Sequence, residues 1–124
     1  MSKSVPVIGS VLVSTANTNH DGTGTVATVI TSAGAGYAIR RITVKAIVTT
    51  TAGMVRIFIY TGSAYFLWKE IAITAITVSA SVAGFEYVIE LFNDEELLLP
   101  SGYSIRASTH NAESFHVTAE GEYL

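Results

Sequence analysis

Three histidines carry whatever imidazole chemistry this 124-residue chain offers, and with no cysteine there is no thiol nucleophile and no thiolate metal ligand beside them. His110, Glu113 and His116 stand in the order H-x2-E-x2-H. A helical zinc site places two histidines four residues apart on one face. Here two of the three fall in a loop between strand patterns, so the spacing reads as exposed polar residues and no metal is expected. His20-Asp21 with a serine supplies the parts of a hydrolase triad, but there is no G-x-S-x-G elbow to present the nucleophile. Gly22-x-Gly24 and Gly34-x-Gly36 precede no helix pattern and lack the phosphate-binding lysine, so they read as turns. Glu86 and Glu90 share a strand pattern, where four residues span about 13 Å, wider than a glycosidase pair uses. Glu95-Glu96 is a second carboxylate pair, in a turn. The chain is not expected to be an enzyme, and no cofactor is implied.

The elements that would position these residues are strands. Apolar and polar residues alternate at period two in short runs broken by Gly, Ser, Asn, Asp and Pro, and no long helical period appears. The runs fall at about 5–14, 25–31, 37–49, 54–60, 65–74, 85–91, 103–109 and 115–120, which makes about eight strands in one domain, 1–124. Residues 75–84 fit no pattern. Residues 92–96 read as a turn or one helical turn, 97–99 as a short extended stretch, and 1–6 as a flexible N-terminal arm. With no crossover helices, the strands predict an all-β antiparallel sandwich, a jelly roll of about eight strands, with an immunoglobulin-like sandwich as the alternative.

Composition narrows the function classes. Charged residues make up 14% of the chain and apolar ones 49%, against a usual charged fraction of about 25%. Seven Lys and Arg against ten Asp and Glu argue against a nucleic-acid binder. No apolar run is long enough for a membrane helix, and residues 1–6 have no signal-peptide core, so cytoplasmic folding is expected. The shortage of charge suggests a surface finished by another protein.

The hairpin 54–74 localises that surface. If Tyr60 opposes Tyr65, then Val55, Ile57, Ile59, Phe66 and Trp68 form a core layer, with Trp68 as an anchor. Arg56, Phe58, Tyr60, Tyr65, Leu67 and Lys69 fall on the opposite side. That second face should be wet, yet aromatics and a leucine dominate it between two charged residues, the make-up of an interface core. Three readings stand: a connection of the same chain covers the face, a subunit or partner covers it, or Tyr60 and Tyr65 form a platform for a glycan.

Four segments, 14–25, 49–56, 67–71 and 99–113, resemble a group of small tailed-bacteriophage virion proteins. They include Asn17-Thr18-Asn19-His20-Asp21-Gly22-Thr23-Gly24, Leu67-Trp68-Lys69-Glu70-Ile71 and Leu99-Pro100-Ser101-Gly102-Tyr103, and the similarity runs from about Val11 to Leu124. The resemblance implies a capsid decoration, or cement, protein on the virion surface, assembled in the host bacterial cytoplasm. It implies association with itself, a trimer favoured, and with the major capsid protein. A tail or head-fibre component, or a carbohydrate-binding adsorption module, is the alternative. No site residues carry over.

Overall fold

Each period-two run becomes a strand, and what sorts its faces is which side meets the other sheet. The computed structural model describes residues 5–92 and 95–124. Nine strands are present among them: β1 (Pro6–Val13), β2 (Ala27–Thr31), β3 (Tyr37–Ala46), β4 (Gly53–Tyr60), β5 (Tyr65–Ile73), β6 (Glu86–Glu90), β7 (Leu97–Leu99), β8 (Ser104–Thr109) and β9 (Phe115–Tyr123). The ninth beyond the expected eight is β7, the short extended stretch. The turn expected at 92–96 lies partly outside the described residues, at Asn93 and Asp94. The expected arm lies outside them through Ser4, and Pro6 already belongs to β1.

The strands form two antiparallel sheets packed as a β-sandwich. The first has the order β1-β9-β3-β6, with β7 also paired to β3; the second has the order β2-β8-β4-β5. Each sheet alternates strands from the two ends of the chain. In antiparallel pairs β1 meets β9, β2 meets β8, β3 meets β6 and β7, and β4 meets β5. Ile39, Ile42 and Val44 of β3, Phe115 and Val117 of β9, Val55 and Ile57 of β4 and Ile105 of β8 fill the space between the sheets. All are at most 1% exposed. Burying a side chain of this kind contributes about 1.5–3 kcal/mol.

The hairpin β4–β5 opens as its sequence predicts, with Tyr60 opposite Tyr65, Ile59 opposite Phe66 and Phe58 opposite Leu67. Then the register shifts. Ile57 opposes Lys69, not Trp68, and Arg56 opposes Glu70. Trp68 is the extra residue of a β-bulge, which places two residues of one strand against one of its neighbour. The expected placement of Lys69 beside Arg56 on the outer face is therefore corrected. Lys69 falls on the core-facing side with its ammonium 5.3 Å from the centre of the Trp68 ring, and Glu70 takes its place beside Arg56. Trp68 packs half-buried against the core. Phe66, expected in the core, is 59% exposed, near the hairpin end of the edge strand β5.

Candidate functional site

The outer face of the second sheet gathers Arg56, Phe58 and Tyr60 of β4 with Tyr65 and Leu67 of β5 and Ser104, Arg106 and Ser108 of β8. The polar spacing of β8 is what the sequence shows, yet Ser104 and Ser108 are 2% and 1% exposed, and Phe58 is fully buried. The cover is the connection 14–26 between β1 and β2. Gly22, at φ 87°, sits so close to Tyr65 that a Cβ would overlap its ring, and only glycine accepts that backbone and that approach without strain. His20 Nε2 lies 3.4 Å from Glu70 Oε2.

Asn17 fixes the shape of this cover. Its Nδ2 donates to the carbonyls of Thr23 and Thr25, each at 2.9 Å, and its Oδ1 accepts from the Asn19 amide at 3.0 Å. Its own amide donates to the Thr109 carbonyl at 2.8 Å, tying the connection to β8. Asp21 closes the tip by accepting from the hydroxyl of Thr23 at 2.6 Å and from its amide at 3.1 Å. The hydroxyl bond, foremost, holds the Asp21 carboxyl below its ordinary value.

Arg56 and Phe58 are thus enclosed by their own chain and are not open to a partner. Arg56 has a side chain 5% exposed, and its Nε donates to Glu70 Oε2 at 3.1 Å. Burial of that guanidinium is tolerable because the bulge brings a carboxylate opposite it. Tyr60 and Tyr65 are half-buried, and Arg106 engages both rings. Its guanidinium lies 4.1 Å from the centre of Tyr60, and its Nη1 donates to the Tyr65 hydroxyl at 2.7 Å. Phe58 meets Tyr65 edge to face at 6.1 Å. Leu67 is half-buried and Lys69 exposed.

The histidines are spread over the molecule. His20 lies in the cover, His110 follows β8, and His116 projects from β9. Glu113 accepts from the Thr51 amide at 2.9 Å and hydroxyl at 2.7 Å, fastening two loops together. Among the described residues no three His, Asp or Glu side chains group as metal ligands.

Sequence reasoning identified the polar outer positions of β3 and β9 but passed over the outward side of β1 at the margin of the first sheet. Ile8 and Leu12 of β1 point into solvent there, 71% and 50% exposed, and Leu98 of β7 is 59% exposed. Between β1 and β3 lies a cleft of about 420 Å³ lined by Pro6, Ile8, Arg40, Arg41, Phe92 and Glu120. Arg40 pairs with Glu122, and Arg41 lies 3.8 Å from Glu120 with its guanidinium 5.8 Å from the centre of Phe92. Alternation cannot identify this face, because β1 is apolar at nearly every position and shows no wet side.

No protein-family model matches the chain, and no curated protein matches it.

Proposed function

We propose that the chain is a structural subunit that works by association, in the setting its sequence resemblance implies: a decoration protein that binds other copies of itself and the shell of a tailed-phage head. The observation that carries this reading is the set of exposed apolar side chains on β1 and β7, at the margin of an outer face that is otherwise charged and polar. Ile8 and Phe92 line the cleft with Arg40 and Arg41, and Leu12 and Leu98 are exposed apart from it; large apolar side chains beside arginine are the make-up of an interface core. A strand order of 1-9-3-6 facing 2-8-4-5 supports reading the sandwich as a jelly roll, with β7 as an addition.

In this mechanism the rigid sandwich presents preformed surfaces, and many modest contacts repeated over a shell act together. Chemistry at a single site plays no part in it. The relocation of the interface from the hairpin 54–74 to the first sheet follows from the cover over Arg56 and Phe58. Gold-labelled antibody against the chain, applied to particles of the phage that encodes it, tests the reading. Label over heads is expected. Label over tails alone replaces decoration with a tail role, and unlabelled particles overturn the proposal.

A further inference from the structure

The free edge of β1 differs from the other sheet edges among the described residues. Edge strands are normally blunted by charge, by a bulge or by shortness, since their unpaired backbone groups otherwise invite another strand. On β2 the protection is five-residue length and a register shift between Thr28 and Ile30. The edge of β5 is bulged at Trp68 and carries Lys69 and Glu70. A glutamate stands at each end of β6, and β7 has three residues. By contrast, β1 runs eight residues, Pro-Val-Ile-Gly-Ser-Val-Leu-Val, with no charge and no break in its register against β9.

The edge is also held in place. Val7, Val11 and Val13 point inward onto the core. Between them, Gly9 rests so closely on β2 that a Cβ would overlap the Val29 carbonyl and the Ile30 side chain. A strand pinned in this way is already ordered and gives up little entropy when another strand joins it.

We infer that the edge of β1 pairs antiparallel with β1 of a second copy, about a two-fold axis at Ser10. The inference rests on the reading of the chain as a self-associating subunit and names the surface used. The strand's own sequence identifies the occupant. With the axis at Ser10, Ile8 faces the partner's Leu12, Leu12 faces the partner's Ile8, and Ser10 faces its own copy. The two exposed apolar residues of each strand thereby cover one another on the outer face. An axis at Gly9 or Val11 would instead set one of them against Ser10. The Ser10 axis also leaves Pro6, which has no amide to donate, beyond the paired stretch. The two five-stranded first sheets become one continuous ten-stranded sheet. Such a contact closes at two copies, so it is separate from any three-fold contact of the same chain.

Cysteine trapping and charge exchange test this. The chain has no cysteine, so Ser10→Cys introduces a single thiol on the axis, where facing residues lie within disulfide reach. Mild oxidation is expected to convert Ser10→Cys to a covalent dimer, while Ile8→Cys, opposite the partner's Leu12, stays unlinked. The doubles I8K/L12K and I8E/L12E change only solvent-facing positions. Each alone is expected to weaken dimerisation about a hundredfold, and an equal mixture of the two to restore it, because Lys then faces Glu across the axis. If wild-type chains associate but Ser10→Cys does not crosslink and the charge variants associate normally, the edge inference falls and the reading of a self-associating subunit stands. A wild-type chain that stays monomeric overturns both.

Discussion

Replacing Phe58 with alanine separates a face covered by its own chain from a face kept for a partner. Phe58 is fully buried on the outer side of the second sheet, away from the main core, and meets Tyr65 edge to face at 6.1 Å. Truncating a buried Phe costs about 3–5 kcal/mol, part of it from the cavity left behind. The edge-to-face contact belongs to the same loss at about 0.5–1.5 kcal/mol. Because the cover is a connection that can settle partly into the space, a loss near 3–4 kcal/mol is expected. Unfolding entropy of about 2.1 cal/mol/K per residue converts this to a fall in Tm of about 12–15 °C for a chain of this length. Urea denaturation of the dilute protein, followed by circular dichroism, gives the free energy, and calorimetry gives Tm. Had Phe58 faced water until a partner arrived, truncation would change monomer stability by no more than about 0.5 kcal/mol. A loss below about 1 kcal/mol would refute the enclosure of this face.

Further outcomes follow from the same region. Gly22→Ala should destabilise by at least about 2 kcal/mol in urea denaturation, because the backbone at φ 87° resists a side chain and the Tyr65 ring occupies its space. Glu70→Gln should cost about 1–3 kcal/mol by leaving the buried Arg56 guanidinium without its carboxylate, the partial exposure of Glu70 lowering the figure. Arg56→Met should cost less than Glu70→Gln, since the remaining carboxylate can be hydrated; the reverse order would contradict the pairing. Asp21 should titrate, by NMR, with a midpoint below 3.8. The sign follows: a depressed carboxyl contributes stability that is present above its unfolded value and lost as pH falls through the folded one, and Asp21→Asn should remove that acid dependence.

The strands were legible in the sequence because most have one face on the core and one toward polar surroundings, as Ile42, Val44 and Ala46 against Arg41, Thr43 and Lys45 make plain. The same logic placed Tyr60 opposite Tyr65. It could not find the bulge at Trp68. Whether a strand takes an extra residue depends on what lies across from it, here Ile57 and Phe58, and no local residue type announces that. Nor could it tell whether the outer face of β4 was wet. That is decided by residues 14–26, which are near the hairpin in space and far from it in sequence. The unmatched residues 75–84 form a connection with isolated bridges, Thr50 to Ile76 and Ser79 to Val82. For β1 the difficulty was of another kind: with apolar residues on both sides, period two assigns no face, and only the packing of Gly9 on β2 shows which side Ile8 and Leu12 must take.

The shortage of charge, 14% of residues, thus has two sources. Part lies on the outer face of the second sheet, which the chain covers for itself, and part lies on the first sheet, where Ile8, Leu12 and Leu98 remain open. As a self-associating subunit, the protein would keep the second part as surface for other copies. Sedimentation equilibrium of the wild-type chain over a wide range of micromolar concentrations, at low and high salt, tests it most directly. A mass rising to a multiple of 13.2 kDa is expected, with association as strong at high salt as at low, because apolar contacts are not screened. A mass that stays at 13.2 kDa throughout would contradict it.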